Sequence, residues 1–223
     1  MKEEKRQAIL DAAIKAFAKK GYQYATIEEI AKEAGVAKGL VHVYFENKLD
    51  LLLSVILLFI ETVNQKNRER LAGRTDPVDR LRGVFETFAE LLSQSQKNLY
   101  WGHILREGLP QSEIMKSKRQ RQKLAQIYQQ SSLLQETIDS IIRDGQQKGR
   151  IDPSLQPQII RQILGGASQV MYYGLALERH RKQPAGYTEQ DVQRAISFLI
   201  DKFTCSLGGR RTGKRYDPRA KKG

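Results

Sequence analysis

TIEEIAKEAGVAKGLVHVYF, residues 26–45, is the stretch that decides how this chain folds. Thr26 and Glu29 have capping-box spacing: the hydroxyl accepts from the backbone N–H of residue 29, and the carboxylate reaches back to that of residue 26. Behind the cap, Ile27, Ile30, Ala31 and Ala34 recur at helical spacing. Gly35 then supplies the stop. A second short helix follows, in which Ala37, Val41 and Phe45 repeat every four positions as the inward face. Lys38, Gly39, His42 and Val43 project outward. Glycine inside a helix costs about 1 kcal/mol against alanine, so Gly39 needs a reason to be there.

A capped helix, a glycine turn and a second short helix have helix-turn-helix spacing. In a DNA major groove the oddities make sense. Gly39 allows close approach. Lys38 donates to guanine or phosphate oxygens, His42 to a phosphate or a base edge, and Val43 touches a thymine methyl. Tyr44 at the rim offers its hydroxyl to a phosphate. Lys48 sits in the first turn of the next helix, where the macrodipole disfavours a cation; a phosphate docked on the free N–H groups there would remove the conflict. The plainer reading is an ordinary helix pair with a glycine turn, Lys48 and His42 being merely solvated.

Working outward, Ile9, Ala13, Ala16 and Phe17 line a first helix that stops at Gly21. Asn47 to Asp50 caps a long helix reaching about residue 72. Asp76-Pro77 opens another to about residue 96, with proline at the first helical position. A compact segment spans about 98–108. Pro110 and Ser112 introduce a long helix to about residue 148. GRIDPSLQP (149–157) is a turn, a helix runs on to about residue 182, and Gly186-Tyr187-Thr188 opens the last one. No strand pattern and no repeat is present. The expectation is an all-α protein of nine helices: a three-helix unit at 1–47, a larger helical body at 48–207 and a basic tail at 208–223.

The 223 residues are 40% hydrophobic, enough for a real core, and carry a net charge of +13. That charge suits nucleic acid, anionic lipid or simple solubility. Much of it lies in the tail, where seven Lys and Arg face Asp217 alone and little can be buried, and in KSKRQRQK (116–123). The apolar run LLLSVILLFI (51–60) is too short to span a bilayer. A charged-then-apolar leader is missing, and the single cysteine, Cys205, excludes an internal disulfide framework; a reducing cytoplasm fits. His42, His103 and His180 are far apart and lack metal-ligand spacing. Nothing points to catalysis or to a cofactor.

Gly21-Tyr22, the run Thr26 to Val36, and Val43-Tyr44-Phe45-Glu46-Asn47-Lys48 together resemble the TetR family of bacterial regulators. The resemblance covers about residues 5–52. It implies a homodimer with an N-terminal DNA-reading domain and a C-terminal ligand-binding and dimerisation domain. It also implies that Thr26, Tyr44 and Lys48 hold phosphates of double-stranded operator DNA, while residues 38–43, Leu40 among them, read bases. Ala37 stands where a serine cap is common, Leu40 where Thr or Ser is common, and His42-Val43 replaces an aromatic-His pair. These departures bear on which bases are read.

The resemblance gives the body two tasks. Phe85, Phe88, Tyr100, Trp101, Tyr128, Met171, Tyr172 and Tyr173 are either plain core or, as a group, the lining of a cavity for a small hydrophobic effector, with Tyr100 and His103 as polar tips. Ile160, Ile163, Leu164, Ala167 and Val170, with Ile196, Leu199, Ile200 and Phe203, form an apolar seam on the last two helices that would build a four-helix dimer interface, the alternative being that the two helices pack only within their own chain. Gly165-Gly166-Ala167 gives close packing there, or room for a ligand. The body also loosely resembles regulators that respond to fatty acyl-CoA, in which case Lys116, Lys118, Arg119 and Lys123 would meet the head group; the alternative is a solvated face. The whole reads as a ligand-responsive repressor. Its rivals are a DNA-organising protein without an effector and a helical ligand carrier.

Overall fold

The computed structural model describes residues 2–93, 109–181 and 186–204, and every regular element in them is a helix. Tyr100, Trp101, His103, Cys205 and the tail at 208–223 lie outside the described residues. Helix α1 (Lys2–Tyr24) is interrupted at Gly21, whose φ of 78° only glycine adopts readily. Helix α2 (Ile27–Glu33) starts on the expected capping box: Glu29 N–H donates to Thr26 Oγ1 at 3.2 Å, and Thr26 N–H to Glu29 Oε2 at 3.3 Å. It ends in a Schellman turn. Val36 N–H donates to the Ala31 carbonyl and Gly35 N–H to that of Lys32, with Gly35 at φ 66°.

Helix α3 (Lys38–Tyr44) follows, then α4 (Lys48–Leu71), whose cap Asn47 accepts from Asp50 N–H at 2.9 Å. Asp76 caps α5 (Pro77–Ser93) through the N–H groups of Val78 and Asp79, at 3.0 and 2.9 Å. The single long helix expected from Ser112 is in fact two, α6 (Gln111–Ile114) and α7 (Lys118–Gln147). Ser117 takes an extended backbone between them and its side chain caps α7, as serine prefers. Helix α8 (Pro157–Arg181) and α9 (Glu189–Phe203) complete the described elements, α9 starting on a second capping box of Thr188 and Asp191. The 149–157 turn is tied to the end of α9, where Asp152 N–H donates to the Phe203 carbonyl at 2.8 Å.

Among the described residues, two hydrophobic cores form. One joins Ile9, Leu10, Phe17, Ile30, Val41 and Phe45 of the first three helices to Leu49–Ile56 of α4 and to Leu124 and Ile127 of α7. Three short helices bury too little by themselves, so packing runs straight across residue 47. The other core gathers Leu81, Val84 and Phe85 of α5, Ile138, Ile141 and Ile142 of α7, Ile160 and Leu164 of α8, and Ile196 and Ile200 of α9.

That second core corrects the expected seam. Ile160, Leu164, Ile196 and Ile200 are buried within this single chain, and Ala167, Leu199 and Phe203 pack against that core. The residues left bare are Ile159, Ile163 and Val170 on α8 and Phe198 on α9, with Gly166 exposed between them. Positions 159, 163, 166 and 170 form their own stripe, turned from the core-facing one by a single helical position, about 100°.

Candidate nucleic-acid interface and ligand cavity

Helix α3 is fixed from one side only. Val41 and Phe45 are fully buried, while Lys38, Gly39, His42 and Val43 are exposed, Val43 by 68%. A Cβ built on Gly39 meets nothing within 4 Å. Leu40 and Tyr44 are half-buried at the edge. Ala37, expected inside, is exposed instead. It is the N-cap, with extended backbone and no side-chain hydrogen bond, so it lies before the helical repeat that points Val41 inward.

The polar groups around this face are held by weak or exchangeable partners. Lys38 pairs with Glu28, holding that carboxyl below its ordinary value, yet both side chains are more than half exposed. Such a pair contributes little and gives way readily to a phosphate or a base. The Thr26 side chain is exposed at the mouth of its cap. Tyr44 donates its hydroxyl to the Lys2 carbonyl at 2.9 Å.

Lys48 behaves differently from its expected free state. Its ammonium donates to the carbonyls of Gln23 and Ala25, at 3.0 and 2.9 Å, and lies 4.7 Å from the centre of the Tyr22 ring. Burial lowers its pKa. The cation at the positive end of α4 is thus stabilised by carbonyls where α1 ends, and it staples the two helices together. Two of its three N–H donors are used.

Behind α3 lies a joint that sequence spacing did not suggest. Asp50 is completely buried. It accepts the Glu46 N–H at 3.0 Å and pairs with Lys123 and with Arg119, whose Nε is 3.2 Å away. Lys123 also donates to Ser54 Oγ at 2.5 Å, and Arg119 to the Tyr44 carbonyl. Ser117 donates to Glu46 at 2.7 Å and Gln120 to Asn47 at 3.0 Å. Two members of the 116–123 cluster therefore clamp the start of α7 onto the end of α3 and the first turn of α4. They are not set out for an anionic head group; Lys116 and Lys118 remain exposed. Burial lowers the Lys123 pKa and Asp50 opposes the shift. The only sequence signal was an acid inside an apolar helix, with its partner 73 residues away.

A cavity of about 420 Å³ opens between α4, α5, α8 and α9. Phe85, Ala89, Tyr172, Ile196 and Ile200 form its apolar side. Its rim is made of partly exposed charges: Arg70 bonds Glu86 and Glu90 at 3.3 and 2.5 Å, and Arg82 reaches Ser197 and Asp201. The Tyr172 hydroxyl has no hydrogen-bond partner among the described residues, and burial pushes its pKa up to about 12. Of the expected lining, Phe85 and Tyr172 are in place. Phe88 and Met171 pack on the second core outside the cavity wall. Tyr128 is 56% exposed, because the inward stripe of α7 runs through Leu124, Ile127 and Leu134, and residue 128 falls about 100° off it. Arg70, Arg82, Ser168 and Gln193 were missed, since the cavity draws them from four helices far apart in sequence.

Residues 9–55 match the family described as bacterial regulatory proteins, tetR family. The fatty acid metabolism regulator protein of Bacillus subtilis (strain 168) is 30% identical over 170 residues, 74% of this chain and 80% of that protein. Among solved structures, the fatty acid degradation regulator FadR of Bacillus halodurans superposes with a TM-score of 0.68 at 23% identity, covering 92% of this chain and 100% of that one. The transcriptional regulator FadR of Bacillus subtilis, solved with stearoyl-CoA, gives 0.65 at 23% identity, with 87% and 97% covered. With its reading helix exposed on a capped helix-turn-helix and its helical body matched over most of its length, this chain belongs to the tetR family of bacterial regulatory proteins.

Proposed function

We propose that this regulator represses transcription by binding double-stranded operator DNA as a homodimer, and that a hydrophobic effector, an acyl-CoA thioester, releases it. The carrying observation is α3: a helix clamped on its inner face and bare outside, with glycine where close approach is needed and Lys38, His42 and Val43 around it. Tyr44 and Lys48 stand beside it to meet phosphates, which position without specifying.

The exposed apolar stripe of Ile159, Ile163 and Val170, with Phe198 alongside, supports pairing of α8 and α9 with a second copy in a four-helix bundle. Two reading heads then meet half-sites about 34 Å apart. The effector shifts the population between DNA-fitting and non-fitting arrangements by its differential affinity for them. The cavity's apolar side suits a hydrocarbon chain, and the relative solved with stearoyl-CoA points to the class. Burying ~300 Å² of hydrocarbon gives about 7 kcal/mol before association costs, at ~25 cal/mol per Å².

The test is selection of a binding sequence from random DNA, followed by titration of the complex with stearoyl-CoA. Release of the selected duplex is expected. Equal affinity for selected and random duplexes would instead describe a DNA-organising protein, and no DNA binding at moderate salt a ligand carrier.

A further inference from the structure

Among the described residues that line it, the cavity has one buried hydrogen-bond donor with nothing to donate to. Most polar groups of the lining, Arg70, Arg82, Glu86, Glu90, Gln193 and Ser197, are at least partly exposed. Two are buried, Ser168 and Tyr172 of α8, at 5% and 3% exposure. They stand four residues apart, on one face of the helix. Ser168 has committed its proton, its Oγ donating to the Leu164 carbonyl at 2.8 Å. Tyr172 has not, for its hydroxyl has no hydrogen-bond partner among the described residues. Nor is its oxygen closed off: among those residues, the side-chain atoms that are both sealed and unpaired belong to Asn67. What little of Tyr172 remains accessible therefore includes the hydroxyl, on a side chain that lines the cavity. A buried tyrosine ordinarily finds a partner for that group.

We infer that Tyr172 donates its hydroxyl to the thioester carbonyl of the acyl-CoA effector and is the side chain that recognises that group; this rests on the acyl-CoA reading above. The wall of Phe85, Ala89, Ile196 and Ile200 takes a hydrocarbon chain but does not select what ends it. Apolar contact is non-directional, and orientation comes from a few placed polar groups. The first polar atom beyond the chain of an acyl-CoA is the carbonyl oxygen, an uncharged acceptor. It matches a phenol that burial keeps protonated. A free fatty acid would bring a carboxylate to the same spot. Both cations of the described lining are already committed, Arg70 to Glu86 and Glu90, and Arg82 to Asp201 and Ser197. The Glu189 carboxylate also acts on the Tyr172 hydroxyl, and it would repel a second anion there. A buried charge without a partner is costly; a thioester carbonyl takes the hydrogen bond without bringing one. The coenzyme A portion then leaves over the partly exposed rim.

The experiment uses the full-length protein and Tyr172→Phe, which removes the hydroxyl and keeps the ring. Calorimetric titrations use stearoyl-CoA and S-octadecyl-CoA, the thioether that has a methylene in place of the carbonyl. Wild type is expected to bind the thioether about tenfold more weakly than the thioester, the effect of one buried hydrogen bond. Tyr172→Phe is expected to bind stearoyl-CoA about tenfold more weakly than wild type does, and the thioether equally well. Because the hydroxyl has no partner in the unliganded protein, the variant should melt within about 2 °C of wild type. Unchanged affinity of the variant for stearoyl-CoA overturns the inference and leaves the acyl-CoA reading intact. Equal weakening of both ligands overturns it as well, since the hydroxyl then shapes the cavity rather than reading the carbonyl, and so does a melting temperature lowered beyond that range. Wild type that binds neither ligand defeats the acyl-CoA reading, and this inference with it.

Discussion

Replacing Lys123 by methionine tests whether the reading head is locked to the body through Asp50. The substitution keeps the length and most of the volume of the side chain, so it removes charge rather than packing. In the native protein Asp50 is completely buried and Lys123 is 15% exposed. Taking one partner from a buried pair costs about 3–5 kcal/mol, chiefly because the other charge is left uncompensated. Here the loss is partial. Arg119 still lies 3.2 Å from Asp50, although it is 44% exposed, and the Glu46 N–H still donates at 3.0 Å. An estimate of about 2–4 kcal/mol follows, which for a chain of this size lowers the melting temperature by roughly 5–15 °C. The assay is a reversible thermal melt of Lys123→Met, Asp50→Asn and the double variant. Non-additivity is expected, the double variant losing less than the sum, because the two residues meet directly. A melting temperature within about 2 °C of wild type for Lys123→Met, or strict additivity, would falsify the proposal that this pair holds the joint.

Three further outcomes can be checked. Val43→Ala should change base preference at one position of each half-site by about 1–3 kcal/mol, whereas Tyr44→Phe should weaken all duplexes alike; identical effects of the two across a panel of operators contradict the assigned roles. Val170→Asp and Phe198→Asp should give a monomer in sedimentation experiments, because each places an unpaired charge in the proposed interface; a dimer in both cases removes that face from consideration. The Asp191 carboxyl is held below its ordinary 3.8 by the Thr188 N–H. The unfolded chain therefore takes up the proton first, so the stabilisation is present above that value and fades as pH falls through the lower folded one. Asp191→Asn should flatten the fall of melting temperature with acid, and an unaltered slope would show that this cap does not contribute.

Much of this was legible in the sequence because it is local. The Thr26–Glu29 box, the Gly35 turn, the Asn47 and Asp76 caps and the Thr188 start each satisfy backbone groups within a few residues, so spacing alone specifies them. The outward set of α3 was readable for the same reason, since period 3.6 places Lys38, Gly39, His42 and Val43 opposite Val41 and Phe45. Local reasoning failed where a residue's partner decides its role. Ala37 matched the four-residue repeat, yet it precedes the helix. Spacing puts Ser117 inside a long helix, although its backbone is extended and its hydroxyl caps the helix that starts after it.

The sequence by itself determined an all-helical chain, a helix-turn-helix near its start and the face of α3 that stays bare, because hydrophobic periodicity and capping act over one or two turns. Only the tertiary structure decided what the charges and amides do. Lys48 looked free for a phosphate until α1 brought the Gln23 and Ala25 carbonyls to it. Arg119 and Lys123 looked like a solvated or anion-binding run until α7 carried them across 73 residues to Asp50. Tyr128 and Tyr172 were equal candidates for the cavity until the face that α7 buries left one in solvent and the packing of α8 buried the other. A side chain's energy depends on what lies within a few ångströms of it, and for these residues that neighbourhood is assembled from helices that are distant in the chain.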